Sequence, residues 1–140
     1  MFEHILLAVD GSEHALHAAR KAAELARTMN TQELHIIVAY DTIPVYLGEP
    51  NMQIAYVNRK SEAEAILQHA VTEVGDVPGK VLTEVMEGDA AEAVITAATK
   101  YKSDLIVMGS RGLGRLAGLL LGSTSQKVVA HAPCPVLIVR

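Results

Sequence analysis

The sequence predicts an α/β domain built on an open, doubly wound, parallel sheet. Three observations carry that reading. Apolar runs of strand length alternate with helical stretches along the chain, the pattern of parallel strands joined by crossover helices. Five such runs can be counted in the 140 residues. Turn and cap residues fall where strands give way to helices, above all Asp10-Gly11-Ser12 and Gly88-Asp89.

The first strand reads His4 to Asp10, and Ser12 is placed to cap a helix from Glu13 to about Asn30. Along that helix Ala15, Ala19, Ala22, Ala26 and Met29 form a stripe of mostly small residues that allows close approach to a sheet. The second strand, Leu34 to Tyr40, is apolar almost throughout, as expected of a strand covered on both faces. From Asp41 to about Val57, Pro44, Gly48 and Pro50 interrupt any period, so a long loop is expected. A helix from roughly Asn58 to Val74 follows, with Ser61 and Glu64 at capping-box spacing and Gly75, Pro78 and Gly79 ending it. A third strand is expected over Val81 to Met86, then a helix to about Lys102 whose cap precedes an acidic third position. The fourth strand, Asp104 to Met108, runs into Gly109-Ser110-Arg111-Gly112. A glycine-rich segment with Arg111 and Arg115 leads to a last helix from Ser123 to His131, and Pro133-Cys134-Pro135 precedes a terminal strand, Val136 to Val139.

Composition narrows the function classes. A chain of this length can bury a core without disulfide or metal staples, so one domain spanning 1–140 is expected. Half the residues are hydrophobic and a fifth charged, with no apolar run near the roughly 20 residues of a membrane span. A formal charge of −4 without a basic stripe argues against nucleic acid as a partner. The single cysteine, Cys134, excludes an internal disulfide, and the N-terminal residues lack a signal-peptide pattern, so a cytoplasmic location is expected. Cys134 itself reads as a small buried hydrophobe.

Ligands of open parallel sheets sit beyond the carboxyl ends of the strands. Asp10 and the glycine segment both fall there, and they are neighbours if the first and fourth strands are adjacent. At Gly122-Ser123-Thr124-Ser125 a helix begins, where unpaired N–H groups and the positive end of the helix dipole attract a polyphosphate. No acidic residue occurs from 105 to 140, which favours an anion. Two alternatives stay open here. Gly109 and Gly112 could serve tight turns only, and Ser123 with Gln126 has the spacing of an ordinary capping box. Asp10 could hold a ribose hydroxyl or a divalent ion, or could cap its own turn. No Walker motif and no compact Gly-x-Gly-x-x-Gly is present.

The chain resembles the universal stress protein family over essentially its whole length, from Ile5-Leu6-Leu7-Ala8-Val9-Asp10-Gly11-Ser12 to Cys134-Pro135-Val136-Leu137-Ile138-Val139. Gly109, Gly112, Gly122 and Ser123 fit, without gaps, the Gly-x2-Gly-x9-Gly-Ser/Thr pattern of that family's ATP-binding branch. The resemblance implies a Rossmann-like, adenine nucleotide alpha hydrolase-like fold with strand order 3-2-1-4-5. It implies that Gly109, Arg111, Gly112, Gly122, Ser123, Thr124 and Ser125 surround ribose and phosphates, that Ala8, Val9 and Asp10 line the nucleoside side, and that Ala39 and Met108 form the adenine wall. It further implies ATP as ligand, Mg arriving with the phosphates near Asp10, and a homodimer joined through Val136 to Val139.

No dedicated metal cage is expected. His14 and His17 lie three apart on one helix but have no third ligand in the sequence pattern, and no catalytic residue is assigned because Ser110, Ser123 and Ser125 lack a nearby His and Asp arrangement in the sequence, although a histidine could approach in space. The expected function is therefore nucleotide binding in a stress-response or signalling module, with slow or no hydrolysis. The alternative is a true ATPase or nucleotidyl-transferring enzyme using the same loop. A phospho-receiver is disfavoured because Met86 stands where a carboxylate is needed, and a flavodoxin because Trp is absent and a single Phe is present.

Overall fold

A computed structural model describes residues 1–110 and 121–140. Five strands, β1 (His4–Ala8), β2 (Glu33–Tyr40), β3 (Lys80–Glu87), β4 (Leu105–Gly109) and β5 (Val136–Val139), form one sheet in the order β3-β2-β1-β4-β5. Every neighbouring pair is parallel, with Ala8 opposite Ile37 on one side and Met108 on the other. The expected fold and strand order are both present.

Alternation along the strands explains the layers, since successive side chains point to opposite faces. Ile5, Leu7, Leu34, Ile36, Leu105 and Val107 pack on one face, under α1 (Glu13–Met29) and α2 (Asn51–Val74). Leu6, Ile37, Ile106 and Met108 pack on the other, under α3 (Ala90–Lys100) and α4 (Ser123–His131). Because both faces are covered, β2 is buried from Leu34 through Val38.

Local chemistry sets the helix ends. Ser12 caps α1, its hydroxyl accepting the Ala15 N–H at 3.2 Å, and Asn30 ends it in the left-handed conformation with its N–H on the Ala26 carbonyl. Asp89 caps α3 by accepting the Glu92 N–H at 3.0 Å. The buried stripe of α1 is Ala15, Ala18, Ala19, Ala22, Ala23 and Ala26, broader than the sequence reading, whereas Met29 is exposed.

Three expectations are corrected. The helix expected from Asn58 begins at Asn51, and a single 3₁₀ turn, Val45–Leu47, occupies part of the expected loop. The burial pattern explains the error: α2 buries Ala63, Leu67, Ala70 and Val74, all in its second half, so its first half carries no apolar period to read. Ser61 lies inside that helix and caps nothing. The fourth helix is capped by Gly122, not by a Ser123–Gln126 box, because the Gln126 side-chain amide donates to the Leu121 carbonyl instead. Finally, Cys134 is only half-buried at the edge of the second core; its partial burial raises the thiol above its ordinary pKa.

Candidate functional site

β1 and β4 are adjacent but lead to helices on opposite faces of the sheet, so a crevice opens beyond their carboxyl ends. A cavity of about 280 Å³ occupies it. That lies at the small end of the range for small-molecule sites, roughly 300–1,000 Å³. Gly109 at the end of β4 and Asp10 just beyond β1, 99 residues apart in sequence, meet there because the two strands pair.

The cavity has two chemically distinct ends. Ala8, Ile37, Ala39, Val94 and Met108 make an apolar slot between the sheet and α3. Asp10, Ser12, Gly109, Gly122, Ser123, Thr124 and Ser125 make the polar end. Val9, Ala15 and Ala90 complete the described lining. Of the twelve sequence-predicted site residues, all line this one cavity except Arg111 and Gly112, which lie outside the described residues.

Backbone polarity adds to the slot. The Val9 N–H donates to the Ile37 carbonyl at 3.0 Å, while the Gly88 N–H donates to the Tyr40 carbonyl on the opposite side of β2. Alternate residues of a parallel strand address alternate neighbours. Ala39 therefore directs its N–H and carbonyl toward the β1 side, beyond Ala8, where the β1 pairing ends. One donor and one acceptor thus face the apolar slot.

At the polar end, α4 starts without a side-chain cap, since its cap residue is Gly122. Helix geometry leaves its first N–H groups without intrahelical acceptors. The serines there are not equivalent. Ser125 is buried and donates its hydroxyl to the Gly109 and Ser110 carbonyls at 3.0 and 3.1 Å, so that proton is committed within the protein. Asp10 holds its own turn, Oδ1 accepting the Ser12 N–H at 2.9 Å, while still lining the cavity. At the rim, Lys127 reaches Asp89 at 3.3 Å and Glu92 at 3.4 Å, joining α4 to the start of α3. The Glu92 N–H and the Lys127 ammonium hold the Asp89 carboxyl below its ordinary pKa.

Sequence reasoning missed His14. Its Nδ1 lies 2.7 Å from the Ser110 Oγ, across 96 residues of chain. No spacing rule could reveal that pair; only the adjacency of α1 to the end of β4 does. His17, one turn further on, hydrogen-bonds the Arg140 carbonyl at 2.8 Å.

A doubly wound α/β protein with its crevice at the β1/β4 switch point is the class that fold and cavity define. The chain belongs to the Universal stress protein family, whose profile matches residues 1–140. It is 48% identical over 140 residues to "Universal stress protein in QAH/OAS sulfhydrylase 3'region" of Thermus aquaticus, covering 100% of both chains. Among solved structures it is similar to the universal stress protein UspA of Lactobacillus plantarum, with TM-score 0.88, 25% identity and coverage of 99% and 98%. It is also similar to a universal stress protein crystallised in complex with cAMP, with TM-score 0.75, 26% identity and coverage of 99% and 97%.

Proposed function

We propose that this chain is a single-domain, cytoplasmic, ATP-binding member of its family, acting as a nucleotide-dependent stress-response or signalling module. The observation that carries the reading is the division of one cavity into an apolar slot and an uncapped helix start. The base enters the slot between Ala8, Ala39 and Met108, where the Ala39 N–H and carbonyl supply a donor and an acceptor for its edge. The triphosphate lies against Gly109, Gly122, Ser123 and Thr124; Arg111 and Gly112, which the family pattern assigns to the same ligand, lie outside the described residues. There the α4 N–H groups and dipole favour an anion. The relative crystallised with cAMP supports an adenine nucleotide as the ligand class.

Mg fits as a companion of the phosphates rather than as a resident ion. Asp10 is the one carboxylate among the described lining residues, and together with the Ser123 and Thr124 hydroxyls it offers oxygen ligands to a phosphate-borne cation. The metal would supply charge neutralisation there. Asp10 is read as a partner of the phosphate-borne cation rather than as a proton acceptor, and we read the site as one of binding with slow or absent hydrolysis. Isothermal titration with Mg·ATP is expected to show 1:1 binding. No heat at protein concentrations of about 100 μM, near the dissociation constant of a weak site, would defeat the proposal. Steady phosphate release that disappears in Gly122→Val would instead favour the ATPase alternative.

A further inference from the structure

We propose that His14 is a positioning residue for the phosphate end of this cavity, acting through Ser110; the inference rests on the nucleotide reading above and deepens it. Neither residue is in the cavity's described lining, yet Ser110 is tied to both the strand end and the helix start that shape its polar end. Its carbonyl accepts the Gly122 N–H at 2.7 Å and the Ser125 hydroxyl at 3.1 Å, so the end of β4 and the start of α4 are fastened at one peptide. Its N–H donates to the Val139 carbonyl at 2.8 Å, which holds the same peptide to β5. The residue is 1% exposed, and its hydroxyl meets the His14 Nδ1 at 2.7 Å.

The position of α1 brings the two residues together. A Cβ on Gly109 would lie 2.8 Å from the His14 Cβ and 2.9 Å from its carbonyl carbon, so the first turn of α1 is seated directly on the residue before Ser110. The same turn contributes Ser12 and Ala15 to the cavity wall. A buried hydroxyl deprived of its partner must turn to find another or remain unsatisfied, at a cost that a well-packed site does not absorb. Among the described residues, the Gly109 and Ser110 carbonyls beside it already receive the Ser125 hydroxyl and the Gly122 N–H. Loss of the imidazole therefore disturbs the Gly122–Ser110 fastening, and with it the aim of the α4 N–H groups, while the apolar slot stays intact. Preorganised donors lose much of their effect when displaced by a fraction of an ångström.

The test compares two ligands on one set of variants. His14→Ala is expected to weaken Mg·ATP binding roughly five- to tenfold, the size of one lost hydrogen bond, Ser110→Ala, which removes the hydroxyl that would otherwise turn, to weaken it less, and both to leave adenosine affinity within about twofold. His14→Asn, whose amide reaches the position of Nδ1, should restore most of the ATP affinity, and the double variant should be no worse than either single one. Without ligand, amide exchange at Ser110 and Gly122 should quicken in His14→Ala. Equal loss of ATP and adenosine, an unchanged ATP affinity, or unchanged exchange at those two amides would each overturn the positioning role. Failure of the unmodified protein to bind ATP overturns the nucleotide reading, and the role built on it, whatever the exchange shows.

Discussion

Gly109 meets two demands at once: its backbone lines the cavity, and the space a side chain would need is filled by the first turn of α1. Sequence reading offered a turn or a close approach to phosphate, and the structure adds the contact with His14. Gly109→Ala should therefore cost about 1–3 kcal/mol of stability through displacement of α1, measured by urea denaturation. A variant as stable as the parent would show that α1 is not fixed there. Asp89 is a simpler case. Its carboxyl is held below the ordinary value, first by the Glu92 N–H it caps. A depressed folded pKa contributes stability that is complete above the unfolded value near 3.8 and is lost as pH falls through the lower folded value. Asp89→Ala should cost about 1 kcal/mol at pH 7, and the gap between variant and parent should close as the buffer is taken below the folded pKa. A gap that persists undiminished in strong acid would contradict the cap account.

At the scale of elements, α2 divides into a core half and an exposed half. Leu67 is buried among α1 and sheet residues, whereas Ile54 is 55% exposed. Leu67→Ala should lose about 2–4 kcal/mol and Ile54→Ala no more than about 0.5 kcal/mol, both read from denaturation midpoints. Comparable losses would mean that the first half of α2 packs against something in solution. The same division explains what could be read in advance. Strands, α1 and α3 were legible because they have caps or continuous apolar runs. The start of α2 was not, because Pro44, Gly48 and Pro50 signal a loop while Asn51 to Glu62 offers no buried stripe to counter them. In the cavity, the glycines and Asp10 were legible by chemistry and by family pattern. Ile37, Val94 and Ala90 were not, since an apolar residue in a strand or helix carries no mark that distinguishes a cavity wall from core.

For the whole molecule, β5 is an edge strand with partly exposed apolar side chains, and among the described residues no strand pairs its outer side. We propose a homodimer through Val136 to Val139, so sedimentation equilibrium at micromolar concentration should give twice the 15.0 kDa chain mass. A species of one chain mass alone would end that proposal. Among the described residues no helix is long and apolar enough to cross a membrane. The central claim is that an adenine nucleotide occupies the β1/β4 crevice, base toward Ala39 and phosphates toward the start of α4. Amide chemical shifts recorded by NMR while Mg·ATP is added test it most directly. The account predicts saturable shifts at Ala39, Gly122, Ser123 and Thr124, with Ala39 alone of these responding to adenosine. Shifts absent from those four amides, or confined to the cleft between α1 and α2 at Leu16, Ile66 and His69, would contradict it.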